Sequence, residues 1–161
     1  MTRRSQLFLR NDFVRLGELR RMTTSEDRNA RLSALFLMRK QIGQGTLRRG
    51  YFDLARGLID DEDNDCRWQA MIVIGEFIED EPESVWEVLK EYGEHEDDDM
   101  RTAVGTVLLE HFIEHHRKRY LPRAKRLARR SKRFAEALNM CWDFTRPFPT
   151  LEEVLRGAPR W

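Results

Sequence analysis

The chain has 161 residues, 40% hydrophobic, 10% aromatic and 35% charged, which suits a single folded domain with long solvated helix faces and excludes a mainly disordered chain. No apolar run approaches the roughly 20 residues of a membrane-spanning helix, and Arg10, Asp12 and Arg15 break the apolar part of the opening MTRRSQLFLRNDF, so neither a membrane span nor a secretory signal is expected. The net charge of +1 hides a basic–acidic–basic order: residues 1–50 hold 12 Lys/Arg against 4 Asp/Glu, residues 51–100 hold 3 against 18, and residues 101–161 hold 14 against 6.

Helical periodicity runs along the whole chain. Leu7, Val14 and Leu19 predict a first helix; Leu32, Leu35, Phe36 and Met38 predict a second, with Thr24 and Asp27 as its capping box. Ala70, Met71, Ile74, Phe77 and Ile78 make a wide apolar stripe over 66–78. Val85, Val88, Leu89 and Tyr92 fall at i, i+3, i+4 and i+7, with Ser84 and Glu87 as a capping box. Val104, Val107, Leu108 and Phe112 continue the pattern over 100–116. Leu121, Ala124, Leu127 and Ala128 line one side of an otherwise basic helix over 121–130. The closing RPFPTLEEVLRGAPRW predicts a short helix capped by Thr150 and Glu153. No alternating run supports a strand. Short connections at 43–46, 60–65, 79–83 and 93–99 force neighbouring helices into antiparallel hairpins.

Three segments align: NARLSALFLMRK (29–40), DCRWQAMIVIGE (65–76) and DMRTAVGTVLLE (99–110). Each opens on Asn or Asp, has Arg two residues on, and continues as an apolar helix. The arginines Arg31, Arg67 and Arg101 are 36 and 34 residues apart, and a poorer fourth copy places Arg133 in the same slot after Ser131. Asp65 and Asp99 are expected to cap their helices and complement the dipole. An arginine in a first helical turn opposes that dipole, so Arg31, Arg67 and Arg101 are expected to pair with acidic groups of their own or a neighbouring loop. Together Asp65, Arg67, Asp99, Arg101 and Arg31 would form a structural ladder.

An acidic turn followed by Asp-x-Arg and an apolar helix resembles the HEAT repeat, most clearly in LARGLIDDEDNDCRWQAMIVIGEF (54–77) and LKEYGEHEDDDMRTAVGTVLLEHF (89–112). The likeness covers roughly residues 24–142. It implies an all-α, HEAT-like solenoid of about four antiparallel helical hairpins, with the second helix of each pair on the concave side. The domain would span 1–161, with 143–161 capping the last hairpin. HEAT-like stacks mostly serve as scaffolds, and one branch repairs alkylated DNA using aromatic residues and a carboxylate. Trp142 and Asp143 offer such a pair here.

The basic run HHRKRYLPRAKRLARRSKR (115–133) is the strongest electrostatic signal. Arg117, Lys118, Arg119, Arg123, Lys125, Arg126, Arg129 and Arg130 would form a patch able to meet phosphates, and Arg3, Arg4, Arg10, Arg15, Arg20 and Arg21 a second one. The acidic loops IDDEDND (59–65) and EHEDDD (94–99) lack the glycine and spaced glutamate of an EF-hand. His111 and His115 share a helix face, but no third ligand accompanies them, so no metal and no cofactor are expected. Cys66 and Cys141 read as free thiols of a reducing cytoplasm. The sequence therefore points to a cytoplasmic, non-catalytic binding module for a protein partner, which could be a second copy of the chain. The alternative is nucleic-acid binding through the basic patches, including glycosylase-like base excision.

Overall fold

A computed structural model of the chain describes residues 14–141. Among the described residues every regular element is helical. The expectations for Leu7, for Arg3, Arg4 and Arg10, for Trp142 and Asp143, and for the capping segment 143–161 lie outside the described residues. The chain divides after Val73 into two compact units.

The first unit holds α1 (Leu16–Thr23), α2 (Arg28–Gly43), α3 (Arg49–Arg56) and most of α4 (Asn64–Gly75). Helix α1 packs on α2 and α3. The core they close contains Leu19, Leu35, Met38, Tyr51 and Phe52, all buried. Its polar groups are matched: the Tyr51 hydroxyl donates to Gln41 Oε1 at 2.6 Å and Gln41 Nε2 donates to the Val14 carbonyl at 3.3 Å. Helix α2 ends in a Schellman turn. Gly45 takes φ +85°, its N–H meets the Ile42 carbonyl and the Thr46 N–H meets the Gln41 carbonyl.

The second unit holds α5 (Pro82–Tyr92), α6 (Asp98–Ala103), a π-helical segment (Val104–Leu109), α7 (Glu110–Ala128) and α8 (Lys132–Asn139). Helix α8 packs on α6, the π segment and α7, and α5 packs on the π segment. An aromatic cluster fills the unit. Phe112 and Tyr120 meet edge-on at 4.6 Å between centroids, and Trp86 lies 5.5 Å from Tyr120, 6.0 Å from Phe112 and 6.4 Å from Phe134. Where the sequence predicts separate helices over 100–116 and 121–130, the chain runs on helically from Asp98 to Ala128. It is bent by the π turn, by His116 at φ −122°, ψ 27°, and by Pro122, which cannot donate to the carbonyl four residues back.

The capping expectations are corrected. Asp65 and Asp99 do not cap their helices; Asp63 and Asp97, two residues earlier, do, and Asp27 is the cap of α2. The carboxylates of Asp27, Asp63 and Asp97 accept from the N–H groups of Asn29 (2.9 Å), Cys66 (3.1 Å) and Asp99 (2.9 Å). Thr24 closes α1, donating to the Arg20 carbonyl, and does not open a capping box for α2. Helix α5 starts at Pro82, so Ser84 lies inside its first turn, where its hydroxyl donates to Glu81. Proline at the first helical position needs no partner for a missing N–H, and this moves the start upstream of the expected cap. The fourth copy shifts by the same two residues. Ser131 is the cap of α8, accepting from Phe134 N–H at 3.2 Å. The slot four residues after the cap therefore falls on buried Ala135, and Arg133 is exposed.

Candidate functional site

The re-registered caps expose a device present three times. Two residues before each cap, a side chain accepts the cap's own N–H: Ser25 for Asp27 (3.2 Å), Asp61 for Asp63 (2.9 Å) and His95 for Asp97 (3.1 Å). Four residues after each cap stands the arginine, folded back over the loop. Arg31 Nη1 donates to the carbonyls of Ser25 (3.0 Å) and Glu26 (2.9 Å), Arg101 Nη1 to those of His95 (2.7 Å) and Glu96 (2.9 Å), and Arg67 Nη1 to that of Asp61 (3.1 Å). The guanidinium thus satisfies loop carbonyls that no helix can reach, which accounts for a cation in an unfavourable first turn.

Two of these arginines, Arg31 and Arg101, also reach carboxylates. Arg31 grips Asp61 with two bonds, Nε to Oδ2 at 2.7 Å and Nη2 to Oδ1 at 3.0 Å, and both side chains are buried (9% and 5% exposed). Arg101 Nη2 reaches Glu136 at 3.1 Å and also pairs with Asp98. Asp65 is not an arginine-slot partner: together with Asp63 it pairs with Arg28. Asp61, Arg28 and Glu136 escape the sequence alignment because they lie outside the aligned segments 29–40, 65–76 and 99–110.

The same re-registration places two further positions. Residues five and nine after the cap are Leu32 and Phe36 on α2, and Trp68 and Ile72 on α4. All four keep part of their surface exposed, Phe36 most (49%), although the neighbouring Leu35, Met38, Ala70, Met71 and Val73 are fully buried. Helices α2 and α4 are joined beside this face by Arg39 Nη1 donating to Gln69 Oε1 at 3.1 Å.

On α7 the predicted basic patch divides into two kinds of cation. Arg119 and Arg123 are neutralised by Glu83 of α5; Arg123 Nη1 lies 3.1 Å from its Oε2, and the guanidinium stands 4.8 Å from the Tyr120 ring and 5.1 Å from the Trp86 ring. The Tyr120 hydroxyl, then Arg123 and Arg119, hold the Glu83 carboxyl below the usual carboxylate range, while burial and the Glu83 charge push the Tyr120 phenol up. In contrast Lys118, Lys125, Arg126, Arg129 and Arg130, and Lys132 and Arg133 at the start of α8, have no acidic partner among the described residues. Arg126 and Arg130 line a shallow recess of about 210 Å³, completed by Trp86, Lys90, Arg123 and Leu127. Lys90 also pairs with Glu87 at 2.7 Å. The sequence run shows the cations of this site, but Glu83, Trp86 and Lys90 come from another helix.

The histidines and cysteines have local roles. His111 pairs with Glu114 (3.3 Å) and His115 with Glu79 (3.2 Å), and His116 Nε2 donates to the Ile78 carbonyl at 2.7 Å. Among the described residues no three His, Cys, Asp or Glu side chains come together in a metal-binding arrangement. Burial pushes the Cys66 thiol up to about 11, with Asp61 and Asp63 adding to it, and burial pushes Cys141 up to about 12.

Fold and site together describe an all-α protein whose helices open on a recurring capped loop and arginine, with one apolar and one cationic surface. The sequence model of a family described as a family of unknown function (DUF6869) matches residues 58–151, more than half of the chain, and the chain belongs to that family. No curated protein and no solved structure matches it.

Proposed function

We propose that the protein is a HEAT-like stack of helical hairpins that works as a non-catalytic binding module, and that it holds a protein partner on the exposed face of α2 and α4. The HEAT-like reading is supported by the cap, loop and arginine device at Asp27/Arg31, Asp63/Arg67 and Asp97/Arg101, repeated at intervals of 36 and 34 residues. The partner reading rests on one observation: Leu32, Phe36, Trp68 and Ile72 repeat as partly exposed apolar side chains at the same two helical positions. A strip of aromatic and aliphatic groups on rigid helices is the composition of an interface anchor. The two free thiols, raised well above neutrality by burial, agree with a reducing compartment such as the cytoplasm.

A photo-crosslinking amino acid at position 36, introduced into the full chain in its own cells, tests the reading. A discrete protein adduct is expected, with loss of the adduct in Ile72→Asp, and a mass equal to twice that of the chain would identify the partner as a second copy. Absence of any adduct from position 36, with the folded protein present, overturns it.

A further inference from the structure

We propose that the recess between α5 and α7 is a phosphate-binding site for a single strand of nucleic acid, continued by Lys118 and Lys125 of α7 and by Arg129, which have no acidic partner among the described residues. Residues 115–135 contain ten Lys/Arg and no Asp or Glu. Of these cations Arg119 and Arg123 share Glu83, whereas Lys118, Lys125, Arg126, Arg129, Arg130, Lys132 and Arg133 have no acidic partner among the described residues. Cations crowded in this way repel one another, and a polyanion that displaces their counter-ions binds with a salt-dependent gain.

Geometry adds a place where a phosphate would sit. Arg126, in the last turn of α7, and Arg130, just past its end, both line the recess with Lys90 of α5. Arg123 forms the inner wall, fixed by the Glu83 carboxylate and by the faces of Trp86 and Tyr120. Trp86 itself is buried (2% exposed), so it shapes the recess and cannot serve as a platform for stacked bases. The site therefore recognises the backbone and is indifferent to sequence. Guanidinium groups suit phosphate because their planar fork offers two parallel donors.

A strand fits better than a single phosphorylated side chain because of length. Lys118 to Arg126 on α7 spans about 12 Å at 1.5 Å per residue, and Arg129 and Arg130 extend the cations past the helix end. One phosphate could engage only the recess; the rest of the strip would remain uncompensated.

The site is independent of the apolar face on α2 and α4, and its test can fail separately. Fluorescence anisotropy of a labelled single-stranded oligonucleotide is measured against the full chain from about 50 to about 200 mM salt. Binding that weakens steeply over this range is expected. Arg126→Glu/Arg130→Glu should lower affinity at least tenfold and flatten the salt dependence, whereas Arg126→Lys/Arg130→Lys should retain most of it, Arg20→Glu on α1 should change it little, and Phe36→Asp not at all. Arg126 and Arg130 are exposed, so their variants are expected to keep the fold, to be checked by an unchanged helical circular dichroism spectrum. No binding at the lowest salt overturns the proposal. So does an Arg20→Glu effect as large as that of the double variant, or preferential capture of a phosphorylated peptide that the oligonucleotide does not displace.

Discussion

Arg31 combines three tasks that a lysine cannot: two carbonyl contacts with one amino group and a two-bond grip on Asp61 with the other two nitrogens. Arg31→Lys and Arg31→Met are therefore both expected to lower the thermal midpoint more than Arg28→Met, since the Arg28 side chain is 43% exposed and its pairs lie in water. Thermal melts followed by circular dichroism would show the order, and equal shifts for all three would contradict it. Asp63 gives a pH dependence of definite sign. The hydrogen bond and charge of Arg28 hold its folded-state pKa below the unfolded value. The stabilisation is then present above the unfolded pKa of about 3.9 and is lost as pH falls through the folded value. Denaturant midpoints of the natural protein should fall more steeply in acid than those of Asp63→Asn, which keeps a capping side chain but cannot be protonated. Thiol chemistry tests burial: with Cys66 and Cys141 raised to about 11 and about 12, a disulfide reagent near pH 8 should react slowly with both in the folded protein and rapidly after denaturation.

At the scale of elements, the π turn is tied to a glycine. A Cβ on Gly105 would come 2.4 Å from the Ala137 carbonyl oxygen and 2.9 Å from Met140 Cβ, so α8 can approach the π segment only because residue 105 has no side chain. The near neighbour is backbone and cannot rotate aside. Gly105→Ala is expected to destabilise by about 1–3 kcal/mol despite the better helix propensity of alanine. A denaturation midpoint that rises in this variant would show that the contact yields freely. Phe112→Ala, which removes a ring packed on Trp86 and Tyr120, is expected to cost more, about 3–5 kcal/mol. Helix α3 shows why some elements are hard to read. Its eight residues bury Tyr51, Phe52 and Ala55, too short a run for a 3.6-residue period to stand out from chance.

For the whole molecule, the charge blocks of the sequence take on different meanings once folded. Much of the acidic middle is structural: Asp61, Asp63 and Asp97 are engaged in caps and ion pairs. The basic run of α7 is largely left over. The second unit as a whole holds 15 Lys/Arg against 18 Asp/Glu, so the surplus of cations is local to residues 115–135, where the strand-binding proposal lies, while the first unit carries the apolar strip on which the partner proposal rests. The two proposals predict separable defects: Phe36→Asp should abolish the crosslinked partner and spare oligonucleotide binding, and Arg126→Glu/Arg130→Glu should do the reverse.

Helix content, the absence of strands among the described residues, the connection after α2 and the recurrence of an arginine at intervals of 36 and 34 residues were all decided by the sequence, because they depend on near neighbours: 3.6-residue periodicity, turn-forming residues and equal spacing. The caps are local as well, each carboxylate meeting an N–H two or three residues on; tertiary structure decided which guanidinium meets which distant carboxylate, as Arg31 meets Asp61 30 residues away. It also decided which cations stay unpaired. That depends on carboxylates 36 and 40 residues away, as Glu83 is from Arg119 and Arg123, and no local pattern carries the information. The bend of α6 through α7 is legible in part, since Pro122 stands in the sequence, while the close approach of α8 to Gly105 is a tertiary contact.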